Sequence, residues 1–242
     1  MSIYIGTSGW SYQHWDGVLY PAGTRPAQRL DVYTAAFDTV ELNASFYRWP
    51  PNTQFVSWRR RLPPGFRFSV KAPRGLTHGK ELYSPDAWVN RISAGWHELG
   101  VRRGMLLVQL GPGFVRDDAR LDYFLNLLPE WMHVAVEFRH PSWHEEPTFA
   151  ILERHRVAYC VMSGARLPCV LRATSNAVYL RLHGPDADHL YGGSYPDADL
   201  HWWADRILEW HASELEVYAY FNNDGDGHAV RNALTLRRLV LG

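Results

Sequence analysis

The chain is short of cysteine and of lysine and has no net charge, and each shortage closes a class of function. Two cysteines in 242 residues, Cys160 and Cys169, are too few for a disulfide framework or a cysteine-rich metal centre. Cys160 lies in an apolar run and reads as a small buried hydrophobe. Twenty-five basic residues balance 25 acidic ones, so no whole-molecule field draws the protein to nucleic acid or to an anionic membrane. No apolar run approaches the roughly 18 residues of a bilayer span. The N-terminus enters a strand almost at once, without the basic segment and apolar stretch of a signal peptide. The expectation is a soluble, cytoplasmic protein. Of the 25 basic residues only Lys71 and Lys80 are lysine. Lysine sheds its proton on burial far more readily than arginine, which singles out Lys71.

What is present is a repeated alternation of strand and helix. Strand-like segments recur near 3–7, 39–43, 67–71, 105–110, 133–138, 157–161, 177–183 and 216–221. Between them, Ser84-Pro85 opens a helix running toward Gly100, with proline at the first helical position. Residues 116–128, 145–154, 199–213 and 229–240 repeat apolar side chains every three or four positions, as in Leu200, Trp203, Ile207 and Trp210. Alternating strands and helices imply a parallel sheet. Eight units in 242 residues predict one α/β domain over 1–242, a (β/α)8 TIM-barrel-like fold. Residues 163–176 hold no convincing helix, so irregularity is expected around strand six and its connection.

Six strand segments end in polar residues in one alternate phase, opposite an aliphatic or aromatic face. The polar set is Glu41, Asn43, Lys71, Gln109, Glu137, Arg139, Arg181, His183 and Asn222. In a barrel of this type the site lies at the C-terminal strand ends, and these groups would converge there. The loops that follow are rich in aromatics, among them Trp10 after the first strand and Trp143 after the fifth. The connection from His183 to Leu200 contains Tyr191-Gly192-Gly193-Ser194-Tyr195. Glycines flanking aromatic residues suit a mobile lid.

Glu41 and Glu137 form the acid/base pair that such a site needs. Each also has a basic neighbour to neutralise: Lys71 on the adjacent strand for Glu41, and Arg139 on the same strand for Glu137. Both readings stand. Paired carboxylates with aromatics suit a glycosidase, yet the ends of strands four and seven hold Gln109 and Arg181/His183. No metal or other cofactor is expected, because one histidine among several cations opposes a bound metal. Asn222-x-Asp224-x-Asp226-Gly227 opens like a calcium loop, but Ala233 stands where the bidentate glutamate is required. Lys71, Arg139 and Arg181 outnumber the two glutamates and favour an anion. Residues 222–228 lead into a helix N-terminus that favours anions as well, although Asp224 and Asp226 could instead cap that helix. Arginines interleaved with aromatics also resemble platforms for single-stranded nucleic acid. The runs Arg59-Arg60-Arg61 and Arg102-Arg103 read as solvated helix faces.

Gly6-Thr7-Ser8-Gly9-Trp10, Val40-Glu41-Leu42-Asn43 with Phe46-Tyr47, and Lys71 with Thr77-His78 form an ordered series. Val136-Glu137-Phe138-Arg139-His140 with Trp143, Arg181-Leu182-His183-Gly184 and Phe221-Asn222-Asn223-Asp224 continue it. The series resembles the YecE-like family of uncharacterised proteins along essentially the whole chain, with Gly111-Pro112-Gly113 as a local departure. The resemblance implies a TIM-barrel-like fold, supports grouping the strand ends into one site, and supplies no reaction. The expected function is an acid/base, hydrolase-like enzyme acting on a small anionic ligand, such as a phosphorylated one, with a sugar or nucleobase ring. Glu41, Glu137, His183 and Lys71 are the catalytic candidates. Arg139, Arg181, Asn43, Gln109 and Asn222 would bind the ligand's polar groups, and Trp10, Trp143 and Tyr191 would stack on its ring. The alternatives are a nucleic-acid-binding or nuclease-like protein and a non-catalytic metabolite-binding barrel. No membrane partner is expected.

Overall fold

The computed structural model describes residues 2–242. Among them, eight strands form one sheet in the order β1-β8-β7-β6-β5-β4-β3-β2. They are β1 (Ile3–Thr7), β2 (Thr39–Leu42), β3 (Arg67–Lys71), β4 (Arg103–Gln109), β5 (Val134–Glu137), β6 (Ala158–Ser163), β7 (Ala177–Leu182) and β8 (Glu216–Phe221). The helices are α1 (Arg29–Ala36), α2 (Ala44–Tyr47), α3 (Asn52–Arg61), α4 (Asp86–Trp96), α5 (Asp118–Asn126), α6 (Glu146–Arg154), α7 (Asp197–Ala212) and α8 (His228–Leu241). Parallel strands alternating with helices give the (β/α)8 class that the sequence predicts. Helices α1 and α2 lie where the sequence announces none, and α3 where it offers only the arginine run Arg59-Arg60-Arg61 as a helix face. α1 is short and buries only Arg29, Leu30 and Tyr33. α3 buries only Phe55 and Trp58, and a stripe this narrow gives little periodic signal. As expected, no helix separates β6 from β7.

The chain clusters into two compact units, and the division falls inside β2 and β6. Unit 1 holds the chain up to Glu41, Val161–Leu171 and Asn176–Gly242. Its strands pair β1 with β8 and β7 with β8, all parallel. Ile5, Val178, Leu180 and Ala219 have no exposed surface, the two-sided burial of parallel strands. A polar knot lies within this core. Tyr33 Oη donates to Thr39 O at 3.0 Å and accepts from Thr7 N at 3.0 Å. A β-carbon on Gly6 would lie 2.4 Å from Thr39 O, so glycine at position 6 is required by the approach of two backbones.

Unit 2 holds Leu42–Cys160 and Arg172–Ser175. It carries β3, β4 and β5 in parallel register, with Lys71 opposite Leu107 and Gln109 opposite Glu137. The β3–β4 register shifts between Phe68 and Val70, and there the Ser69 hydroxyl accepts Met105 N at 2.9 Å in place of a ladder bond. Asp117 caps α5 by accepting Arg120 N at 3.0 Å. Pro85 stands at the N-cap of α4, one place before the position the sequence suggested. Arg59, Arg60 and Arg61 are exposed in the last turn of α3, where cations suit the helix dipole. Arg103 differs from expectation: it begins β4 and lies 4.7 Å from the Trp131 ring centroid.

Candidate functional site

Unit 1 brings Glu41 to Arg181. Strand β7 directs Tyr179 and Arg181 to one face, two residues apart. Glu41 Oε1 accepts from Ser8 Oγ at 2.6 Å and from Arg181 Nη2 at 2.7 Å. Its Oε2 accepts from Tyr179 Oη at 2.6 Å and from Arg181 Nε at 3.0 Å. The carboxylate–guanidinium contact is therefore bidentate, and Glu41, Tyr179 and Arg181 have no exposed surface. Burial alone would raise the Glu41 pKa. The Arg181 charge and hydrogen bonds from Arg181, Ser8 and Tyr179 outweigh it and hold the carboxyl below its ordinary range. Glu41 is thus an anion with every lone-pair direction used. The sequence had set Lys71 beside it; Arg181 takes that place, because it supplies a fork that one ammonium cannot.

His183, two residues beyond Arg181, is also buried. Its Nδ1 lies 3.2 Å from Asn222 Nδ2. An amide N–H donating there puts the ring proton on Nε2. The imidazole meets Tyr191 edge-on, with centroids 5.3 Å apart. Tyr191 has φ of 75°, a costly left-handed conformation for a bulky residue, and its N–H donates to His183 O at 2.7 Å. The connection expected to be a mobile lid is fastened at its far end, over residues 193–195. Tyr195 Oη accepts Gly184 N at 3.0 Å and donates to Ser163 Oγ at 2.9 Å. Asn223 Nδ2 donates to Gly193 O at 2.9 Å, and Tyr195 N donates to Asn232 Oδ1 at 3.1 Å. Burial pushes the Tyr195 phenol up to about 12. Trp10 is half-buried after β1.

The acidic loop after β8 departs from expectation too. Asp224 accepts Trp15 Nε1 at 2.7 Å and lies 3.2 Å from His14 Nε2. Gly227 occupies the N-cap of α8 with no side-chain cap, so Asp224 and Asp226 do not cap that helix. Burial raises the Asp224 pKa, opposed by His14 and by the Trp15 hydrogen bond.

Unit 2 collects Lys71, Gln109, Glu137 and Arg139. Arg139 Nε donates to Glu137 Oε1 in a buried ion pair, the same-strand pairing expected from the sequence. Cys160, buried as expected, points Sγ at Glu137 Oε2, 3.7 Å away. Gln109 is nearly buried in register with Glu137. Lys71 Nζ stands 4.2 Å from the Phe46 ring centroid, a cation–π contact. Lys71 O accepts Ser45 Oγ at 2.6 Å, which ties α2 to β3. Asn43 Oδ1 is buried without a hydrogen-bond partner among the described residues, leaving an acceptor that a ligand or water would satisfy. Trp143, expected to stack on a ligand, has no exposed surface. It stacks on Phe138 with centroids 4.8 Å apart, and its Nε1 donates to Phe114 O at 2.7 Å. Its faces are spent on packing.

The sequence reading gave no role to His78, which unit 2 places among these cations. It sits in a π-helical turn, Gly75–Gly79, after β3, a conformation frequent at functional sites. Thr77 Oγ1 donates to Pro73 O at 3.3 Å and lies 3.0 Å from His78 Nδ1. In the tautomer where this hydroxyl donates to Pro73 O, Nδ1–H donates to the hydroxyl and the lone pair is on Nε2. Burial lowers the His78 pKa first, then Lys71, Arg74 and Arg139, with Glu137 opposing them. A pKa below the ordinary histidine value leaves His78 neutral at pH 7. The available signal was the Thr77-His78 pair following Lys71. Among the described residues, no cluster of three or more His, Cys, Asp and Glu side chains is arranged to hold a metal ion. No helix among them is long and apolar enough to cross a membrane.

Comparison with known proteins finds relatives along the full chain. The family described as "Protein of unknown function DUF72" matches residues 4–241. The UPF0759 protein YunF of Bacillus subtilis (strain 168) is 28% identical over 274 residues, covering 98% of this chain and 94% of that protein. The UPF0759 protein YecE of Escherichia coli (strain K12) is 30% identical over 142 residues, 58% of this chain and 50% of its own. A crystal structure of a DUF72 family protein (TM1631) from Thermotoga maritima MSB8 superposes with a TM-score of 0.90 at 30% identity, covering 100% of both chains.

Proposed function

Because the chain belongs to the DUF72 family of proteins of unknown function, its reaction has to be argued from its own residues, and we propose that it is an acid/base enzyme of hydrolase type. Its substrate in this reading is a small anionic ligand with a sugar or nucleobase ring. The observation that carries the reading is His78: a neutral imidazole, lone pair on Nε2, under the field of Lys71, Arg74 and Arg139. Those cations keep the imidazole unprotonated and draw the ligand's anion toward it. Nε2 accepts a proton from water or a ligand hydroxyl. Glu137 keeps Arg139 in place, and Gln109 and the unsatisfied Asn43 Oδ1 orient the ligand's polar groups. In unit 1, Glu41 acts as the positioning anion for Arg181.

The test is hydrolysis of a panel of sugar and nucleoside phosphates. His78→Asn is expected to lose about 10²- to 10⁴-fold in kcat/KM. Glu137→Gln, which frees Arg139, is expected to raise KM more than it lowers kcat. Wild-type activity rises with pH through a value below 6.5, the ordinary histidine pKa, and is level by neutrality. Full activity in His78→Asn would remove the assignment.

A further inference from the structure

A cavity of about 580 Å³ opens in unit 2 beside His78, within the roughly 300–1,000 Å³ of sites that bury small ligands. Three elements build it: Phe46–Trp49 at the end of α2, the turn Pro73–Gly79, and Trp88 and Arg91 of α4. Trp88 and Arg91 are three residues apart and so share one helix face. Arg48, Arg74 and Arg91 line the cavity, and its lining contains no aspartate or glutamate. In a protein whose charges balance overall, three arginines meet here without an acidic residue in the wall. Guanidinium forks match phosphate oxygens geometrically, which a lone ammonium does not.

The rest of the wall is aromatic. Tyr47 is 83% exposed and edge-on to Phe46. Trp88 lies against the backbone of Gly75: a β-carbon there would stand 2.6 Å from Trp88 Cη2 and Cζ2. The missing side chain at position 75 is what lets the indole lie across the π-helical turn. A flat ring and three phosphate-type forks thus share one opening with a neutral imidazole.

We propose that this cavity binds the phosphomonoester of a flat-ringed compound, of the nucleoside monophosphate class, with the phosphate on Arg48, Arg74 and Arg91 and the ring against Trp88. The inference rests on the acid/base reading for the chemistry at His78, but its test is binding alone. The probe is adenosine 5′-monophosphate, followed by calorimetry and by quenching of tryptophan fluorescence, beside adenosine, ribose 5-phosphate and an oligothymidylate without terminal phosphate. Adenosine 5′-monophosphate is expected to bind at least about tenfold tighter than either fragment, since each lacks one of the two contacts. Arg74→Gln and Arg91→Gln, both at exposed positions and so harmless to folding, should each weaken it about tenfold. Trp88→Leu should bring the nucleotide down to the affinity of ribose 5-phosphate. Equal affinity for nucleotide and ribose 5-phosphate, or indifference to both arginine substitutions, overturns the proposal. So does binding of the oligonucleotide without the monomer. The two readings fail separately: an active His78→Asn variant that still binds nucleotide removes only the acid/base role, whereas loss of turnover in that variant, with a wild type that binds no nucleotide, removes only this ligand.

Discussion

Glu41 accepts hydrogen bonds from Ser8, Tyr179 and Arg181 with no exposed surface, so removing its charge strands a buried guanidinium. Glu41→Gln is expected to destabilise the protein by about 3–5 kcal/mol, the usual consequence of breaking a buried pair on one side. The pH dependence has a definite sign. The folded-state pKa of Glu41 lies below the unfolded value of 4.5, so its contribution is complete above 4.5 and is lost as pH falls through the folded pKa. Urea unfolding from about pH 7 down to about pH 3 should show that acid-side loss in the wild type and a smaller one in Glu41→Gln. Equal acid sensitivity in both would mean that the pair contributes nothing to stability. The pairing itself was hidden in the sequence. Glu41 and Arg181 are 140 residues apart, and alternation along a strand says which face a side chain takes, not which distant strand supplies its partner. Glu137 and Arg139 were legible, because residues two apart on an extended segment share a face wherever the strand goes.

At the scale of elements, the connection between β7 and α7 looked like a lid, for glycines flank its aromatics. Its hydrogen bonds make it a fastened segment: Tyr195 Oη joins Gly184 N to Ser163 Oγ, and Asn223 and Asn232 hold the far side. Tyr195→Phe leaves the buried Gly184 N–H without this acceptor, at a cost of about 1–3 kcal/mol. Hydrogen exchange at Gly184 is expected to accelerate by at least about tenfold while the amides of β8 keep their protection. Unchanged exchange at Gly184 would show that the phenol does not hold the segment. Glycine content signals backbone freedom only; whether a loop spends it on motion depends on acceptors from other parts of the chain. The same reasoning explains α1 and α3, whose helicity rests on a few anchoring side chains.

For the whole molecule, balanced charge with a sequence pI near 7.2 predicts a solubility minimum near that pH, with solubility rising on either side as net charge builds. Turbidity across about pH 5 to 9 checks it, and a minimum well away from neutrality would mean that local charge clusters dominate. The sequence by itself determined the eight-strand alternation, the (β/α)8 class and most strand limits to within a residue or two. These follow from periodicity and capping, which are local. Tertiary structure decided the rest: that Arg181 holds Glu41, that Trp143 is packing, that the β7–α7 connection is tied down, and that His78 stands neutral among Lys71, Arg74 and Arg139. Each depends on groups distant in the chain and on burial. Electrostatics and hydrogen-bond satisfaction act through space, and no spacing along the chain encodes them.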